Sequence, residues 1–196
     1  MPSKRQLDER AFRAALGRFA SGVAVVSAVA DGVDHAITVS AFTSVSLDPP
    51  LVLACVDSHN RFHAPVLGAG RWAVSILAEE GQDAASWLAS RGRDLDHQLD
   101  NVPHHRGAIT GAALLDDSLG WLECRTWQTY DGADHTIVVG AVLWAAVADN
   151  GDDPLLYYRS HYGSLVRRPV SERGPDPLPA EMERPVLEPG SGSGGG

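Results

Sequence analysis

The chain has 196 residues, 44% of them hydrophobic, and a net charge of -9 from 16 basic and 25 acidic residues. This length is enough for one well-cored domain, which at about 150 residues buries roughly 70% of its unfolded surface. The acidic balance argues against sustained contact with nucleic acid or an anionic membrane face. No apolar run approaches the about 18 residues of a membrane span, and MPSKRQLDER lacks the apolar segment of a signal peptide, so we expect a cytoplasmic protein.

The first part of the chain predicts a helix followed by a hairpin. Apolar residues recur at helical spacing from Leu7 to Ala20, with acidic residues in the first turn, which indicates an amphipathic helix. Val23 to Val29 has the pattern of a strand, and turn residues at 31–34 lead it into a second strand.

The stretch from His35 to Asp57 contains two apolar runs, Ala36 to Leu47 and Leu51 to Val56, on either side of Asp48-Pro49-Pro50. Fixed φ angles and two missing N–H donors force a corner at the prolines, so the runs should form neighbouring strands. Small hydroxyl residues interleave with apolar ones along the first run. Because strands buried on both faces are usually continuously apolar, this run needs a polar partner, either water or a flat polar ligand.

The segment after Asp57 combines a serine and a basic residue at the start of a predicted short helix. Exposed N–H groups with Ser58 and Arg61 make a site for an anion such as a phosphate. An ordinary helix cap with a solvated arginine is the alternative, and such caps are common.

The rest of the chain alternates strands with one helix. Gln82 to Arg91 is predicted as a helix, and the polar stretch from Arg93 to Arg106 as an exposed loop or lid without the regular spacing of metal ligands. Ser118 to Tyr130 and Thr136 to Val147 are strands joined by a hairpin turn, and Leu155 to Arg159 is a short last strand.

The order of these elements predicts a mainly β domain. Six or seven strands are joined by hairpins or short helices without βαβ units, which favours an antiparallel barrel with a few flanking helices. We expect this domain to occupy residues 1–169, and the Pro- and Gly-rich residues 170–196 to form a disordered tail. Cys55 and Cys124 each lie inside a strand-like run and are interpreted as buried thiols.

Three sequence motifs resemble those of one protein family and occur in the same order along the chain. They are TVSAFTSVSLDPPLV from Thr38 to Val52, YDGADHT from Tyr130 to Thr136 followed by IVVG, and PLLYYR from Pro154 to Arg159 ending at Tyr162-Gly163. Together they resemble the short-chain flavin reductases with the FMN-binding split β-barrel fold, over about Phe12 to Leu165.

The resemblance implies a flavin site with one catalytic histidine, His135, which lies near the nicotinamide and is suited to proton delivery. Small residues on the strand that begins the first motif would let the flavin ring lie close to the backbone, whose N–H groups stabilise the charge that grows on reduction. The implied cofactor-binding residues are Thr38, Val39, Ser40, Ala41, Ser44, Val45, Ala54, Cys55, Val56, Ser58, Arg61, Asp134 and Tyr162, with no metal.

The resemblance further implies a homodimeric NAD(P)H:flavin oxidoreductase that reduces FMN or FAD with NADH or NADPH and passes the reduced flavin to a separate monooxygenase. Two alternatives stay open. One is a flavin-binding protein without reductase turnover, favoured by Ala133 in place of the family's glycine and by Ser40-Ala41 where Asn-Ser is frequent. The other is a protein that uses tightly bound flavin for its own oxygenase chemistry.

Overall fold

The computed structural model describes residues 8–149 and 151–166, which contain three α-helices and twelve strands. The predicted tail, 170–196, lies outside the described residues. The helices are α1 (Glu9–Leu16), α2 (His63–Ala69) and α3 (Gln82–Ala89). The strands are β1 (Ser21–Gly22), β2 (Ala24–Ala30), β3 (Val33–Val39), β4 (Phe42–Leu47), β5 (Pro50–Asp57), β6 (Arg71–Leu77), β7 (His104–Arg106), β8 (Ala113–Leu115), β9 (Ser118–Gly132), β10 (His135–Val147), β11 (Leu156–Tyr158) and β12 (His161–Gly163).

Seven strands form one antiparallel sheet in the order β3-β2-β6-β9-β10-β5-β4. The two edge strands are consecutive in the chain, and only Ser40 and Ala41 separate them. Three Cα steps span at most about 11 Å, so the sheet must curl until its edges meet. The Cys55 N–H donates to the Ala41 carbonyl at 3.0 Å, which continues the β4–β5 ladder one residue into the connection between the two edges. The predicted antiparallel split β-barrel with a few flanking helices is confirmed.

The predicted strand from Ala36 to Leu47 is wrong, because the structure divides it into β3 and β4 at Ser40-Ala41. The two halves pair with different neighbours, β3 with β2 and β4 with β5, and therefore lie on opposite edges of the sheet. The corner at Asp48-Pro49-Pro50 is confirmed, since Leu47 and Pro50 are opposite each other in the β4–β5 pair.

The barrel interior is closed by α2 and packs around Trp72, which is fully buried. Gly140 of β10 makes this packing possible. A Cβ built there would lie 2.3 Å from Trp72 Cζ2, so only glycine fits. Cys124 joins this core, and burial together with the nearby Glu123 carboxylate raises the pKa of its thiol to about 12. Cys55 is only half-buried, so the prediction of two buried thiols is wrong for Cys55.

The stretch from Arg93 to Arg106 is not the exposed loop that its composition predicts, because several of its residues are buried. Gln98, 2% exposed, donates to the Asp34 carbonyl at 2.7 Å and accepts from the Ala36 N–H at 3.3 Å. Arg93 donates to the Ala36 carbonyl at 2.6 Å. These side chains replace the strand that edge strand β3 lacks.

Two further observations complete the fold. The helix predicted from Leu7 to Ala20 is shorter, Glu9–Leu16, with Asp8 as its N-cap accepting from the Arg10 N–H at 2.9 Å. Within the described ranges, no helix combines the length and apolar character needed to cross a membrane.

Candidate functional site

The candidate site begins where β5 ends beside the β9–β10 hairpin. The Ser58 N–H and hydroxyl both donate to the Asp134 carbonyl, at 3.0 and 2.9 Å. His135, the first residue of β10, is directly opposite Asp57 in the β5–β10 pair. The tertiary structure thus brings together three predicted site residues, Ser58, Asp134 and His135.

Ser58 does not cap a helix, which corrects the sequence prediction. Helix α2 begins at His63, five residues later, and Phe62 occupies its N-cap position without a side-chain cap. Turns fill the intervening residues, since the Asn60 N–H donates to the Asp57 carbonyl and the Phe62 N–H to Asn60 Oδ1, both at 2.9 Å.

His135 is half-exposed, and its Nδ1 lies 2.8 Å from Asp134 Oδ1. An ionised carboxylate only accepts hydrogen bonds, so Nδ1 carries the proton and Nε2 remains for a ligand. The same hydrogen bond and the charge of His135 lower the pKa of the Asp134 carboxyl. The arrangement gives a histidine with a fixed tautomer at the rim of the site.

A cleft of about 250 Å³ lies between the end of β5 and the end of α3, and it contains three arginines. Arg61 donates to the carbonyls of Arg91 and Arg93 at 2.9 and 3.2 Å, and Arg93 donates to the Ser90 carbonyl at 2.6 Å. We call this the arginine cleft. Its lining residues are Asp57, His59, Asn60, Arg61, Ala89, Ser90, Arg91 and Arg93.

The arginine cleft carries positive charge that the described residues compensate only in part. Within 8–149 and 151–166, none of its three guanidinium groups forms a salt bridge, and Asp57 is the one carboxylate in the lining. Burial, together with the charge of Arg61, lowers the pKa of Arg93. Guanidinium groups that donate in a fixed fork geometry match phosphate oxygens, so the cleft fits a phosphate group.

The sequence analysis identified Arg61 but missed Arg91 and Arg93. Their signal was the basic run Arg91-Gly92-Arg93 directly after a predicted helix, which was assigned to helix end and loop.

The seam between β3 and β4 supplies an exposed ledge of small residues. Ser40, Ala41 and Ser44 are exposed, and Val45 is 50% exposed. Thr38 is engaged elsewhere, because its hydroxyl donates to the Ala85 carbonyl of α3 at 2.7 Å. We call residues 40, 41, 44 and 45 the seam ledge.

Four other predicted contacts lie behind this surface or away from it. Val39, Ala54 and Val56 are buried in the barrel core, and the Cys55 N–H is occupied by Ala41. Any contact these residues make to a ligand must therefore come from carbonyl oxygens or from packing beneath the ledge.

Tyr162 lies outside the lining of the arginine cleft. Its ring packs edge-on against Tyr157 at 5.5 Å, and its hydroxyl bonds Ser86 of α3. Burial and the nearby Tyr157 raise the pKa of this hydroxyl. Ser86 follows Ala85, whose carbonyl accepts from the Thr38 hydroxyl. Tyr162 is therefore connected to β3 indirectly, through its contact with α3.

Comparison with known proteins agrees with this geometry. Residues 16–166 match the family described as "Flavin reductase like domain". The reductase component of 4-hydroxyphenylacetate 3-monooxygenase from Thermus thermophilus is 38% identical over 159 residues, covering 81% of this chain and 97% of that protein.

Two solved structures are similar to the chain. One is the flavin reductase component of a bacterial two-component tryptophan halogenase, with 42% identity, a TM-score of 0.76, and coverage of 82% of this chain and 100% of that one. The other is an NADH:FAD oxidoreductase from Streptomyces globisporus in complex with NAD and FAD fragments. It has 32% identity, a TM-score of 0.74, and coverage of 85% and 96%. The chain is therefore a member of the flavin reductase like domain family.

Proposed function

We propose that this protein is an NAD(P)H:flavin oxidoreductase that reduces FMN or FAD by hydride transfer and supplies the reduced flavin to a partner monooxygenase. The observation that carries the proposal is the arginine cleft, whose partly compensated guanidinium groups lie beside the Asp134-His135 hairpin. Family membership adds the reaction class. Flavin, when bound, supplies the hydride-accepting ring, while the protein supplies binding, orientation and electrostatics.

The proposed flavin contacts follow from the hydrogen-bonding groups and the exposed surface that each residue can offer to a ligand. Arg61 and Arg91 hold the phosphate of the flavin, and Arg93, whose guanidinium nitrogens donate to Gln98 and to the Ser90 and Ala36 carbonyls, adds positive charge behind them. The hydrogen bonds from Ser58 to Asp134 fix the wall between this cleft and the hairpin. The seam ledge lets the flavin ring approach the backbone, because its side chains are small and exposed. Five predicted residues support the ledge from beneath or through α3: Thr38, Val39, Ala54, Val56 and Tyr162.

His135 is the proposed catalytic residue. Asp134 fixes its tautomer and leaves Nε2 open at the rim, where it orients the nicotinamide and delivers a proton. Nothing in the described residues distinguishes NADH from NADPH, so both belong in the test.

The test is to follow NADH and NADPH oxidation by the purified protein in air, with and without added FMN or FAD. We expect turnover that depends on added flavin, which would identify both cofactors. Flavin binding by fluorescence quenching without turnover would overturn the proposal in favour of a flavin-binding protein. Flavin retained through purification, with no transfer to a second protein, would favour an enzyme with its own oxygenase chemistry.

We also propose a homodimer in which the partner subunit completes each flavin site. Three β-bulges, on β4, β9 and β10, present Val45, Trp127 and Leu143, which are 50%, 54% and 42% exposed. Leu47 and Val147, 92% and 86% exposed, lie on the same strands. An exposed apolar surface that includes part of the seam ledge is typical of an interface that adjoins the site.

Light scattering of the purified protein would test the dimer. Trp127→Glu should shift the mass from that of a dimer to that of a monomer, because it places a charge in the apolar surface. Val33→Glu, at an exposed position of the β2–β3 hairpin, is the matched control and should remain dimeric. A monomeric wild-type protein at micromolar concentration would contradict the proposal.

The partner proposal rests on the relatives, two of which are named as components of a monooxygenase and of a halogenase system. Reduced nicotinamide is an intracellular cofactor, which supports a cytoplasmic location. Oxygen-dependent product formation by a candidate monooxygenase, tested with this protein and NADH, would check the partnership.

A further inference from the structure

Asp57 connects the two parts of the proposed site. It lines the arginine cleft and is directly opposite His135 in the β5–β10 pair. Opposite residues of an antiparallel pair point to the same face, with Cβ atoms about 4.5–5.5 Å apart. The two side chains are 39% and 44% exposed, so they share one partly desolvated surface.

The charges around His135 come from three elements. Asp134 approaches from the hairpin turn and bonds Nδ1 at 2.8 Å, and Asp57 lies across the strand pair. His59, in the turn after β5, donates its N–H to Asp57 Oδ1 at 2.8 Å. Arg61 lies beyond it in the cleft, and Asp131, opposite Thr136, occupies the β9 side.

Asp57 is ionised at neutral pH in this setting. The His59 N–H contributes most to lowering the pKa of its carboxyl, and the charges of His59 and His135 add to that effect. Among the described residues, Asp57 Oδ2 has no hydrogen-bond partner, so the charge is only partly compensated. A carboxylate in this position favours a positively charged neighbour and opposes an anion.

We infer that Asp57 is a positioning residue that acts through His135, holding the imidazole between two carboxylates, while its charge weakens anion binding in the arginine cleft. The inference rests on the proposed function and deepens it. Asp134 fixes Nδ1, and Asp57 places a second negative charge beside the ring from the neighbouring strand. The same charge limits how tightly the cleft holds a phosphate, which suits a flavin that has to leave after reduction.

Asp57→Asn therefore has two effects of opposite sign. We expect kcat for NADH oxidation to fall about tenfold, because the imidazole loses the charge that holds it from the β5 side. The Kd for FMN, measured by fluorescence quenching, should fall by about twofold to threefold, because one negative charge leaves the cleft. Asp57→Glu keeps the charge and should recover most of the turnover.

Asp116→Asn is the matched control. Asp116 also pairs with a histidine, His105, at 2.9 Å, but it does not line the arginine cleft. Its removal should change neither kcat nor the Kd for FMN. Thermal unfolding of each variant checks that the fold is retained.

Two results would overturn the inference while leaving the proposed function intact. One is wild-type turnover in Asp57→Asn with an unchanged Kd for FMN. The other is a parallel loss of turnover and FMN affinity, which indicates a structural role. Absence of flavin-dependent turnover in the wild-type protein would instead reject the proposed function, and the role of Asp57 with it.

Discussion

Two regions of this molecule treat charged side chains in opposite ways. In the loop of residues 107–112, which we call the Glu123 loop, the Glu123 carboxylate is 2% exposed and accepts three hydrogen bonds. Its donors are the Ile109 N–H at 2.9 Å, the Thr110 N–H at 2.7 Å and the Thr110 hydroxyl at 2.8 Å. In the arginine cleft, the guanidinium groups of Arg61 and Arg93 donate to carbonyl oxygens, and none of the three arginines forms a salt bridge among the described residues.

This difference distinguishes a charge that stabilises the fold from charges that are available to bind a ligand. A buried carboxylate that already accepts three hydrogen bonds from the chain stabilises the fold and is out of a ligand's reach. A cluster of like charges held in place by backbone carbonyls costs stability, and that cost is offset when an anion binds. Variants in the Glu123 loop should therefore affect folding, and variants in the arginine cleft should affect binding.

The largest effect is expected for Glu123→Ala. It leaves two N–H groups and a hydroxyl without their acceptor, so the free energy of unfolding should fall by about 3 kcal/mol in urea denaturation. Glu123→Gln keeps an acceptor oxygen and should cost less. Loss of FMN binding in folded Glu123→Ala would contradict the separation of the two regions.

Substitution of His135, which lies across the strand pair from Asp57 of the arginine cleft, tests whether residues of the candidate site affect activity without affecting stability. His135→Ala should lower NADH turnover by about 100-fold, because it removes the proposed proton donor and nicotinamide contact, while FMN affinity and the unfolding free energy stay near wild type. His97→Ala is the control and should retain turnover, because His97 pairs with Asp100 at 2.9 Å and does not line the arginine cleft. Equal turnover in wild type and His135→Ala would exclude the catalytic role.

Arg61→Ala should raise the Kd for FMN by about tenfold, since a charge-assisted hydrogen bond to phosphate contributes at least about 1.5 kcal/mol. The loss should be smaller for riboflavin, which lacks the phosphate. Fluorescence quenching with both ligands measures the difference. A similar loss for both ligands would place the phosphate elsewhere.

The smallest effect is a dependence of stability on acid pH. The pKa values of Asp57 and Asp134 are lowered in the folded protein, by hydrogen bonds from His59 and His135 respectively. Their contribution is therefore complete above the ordinary aspartate pKa and is lost as the pH falls through the lowered values. The thermal midpoint should drop below about pH 4, and the double variant Asp57→Asn with Asp134→Asn should show a shallower drop. Identical pH curves would contradict these assignments.

Much of the fold was predictable because local patterns determine it. The prolines at 49–50 define the corner between β4 and β5, and the turn at 131–134 defines the long hairpin. The break at Ser40-Ala41 was not predictable from pattern, since both halves read as strand and only their pairing with different neighbours separates them. Burial of the segment 93–106 was missed for a similar reason, because polar side chains that satisfy an edge strand look like a solvated loop.

The candidate site divides in the same way. The sequence by itself determined the strand periodicity, the hairpins, and the motif residues Ser58, Arg61 and Asp134-His135, because these depend on neighbouring residues. Only the tertiary structure decided that Arg91 and Arg93 join Arg61, and that Asp57 is opposite His135. Those relations connect residues about 30 and 80 positions apart, and they depend on the pairing of β5 with β10 and on the packing of the end of α3 against the turn after β5.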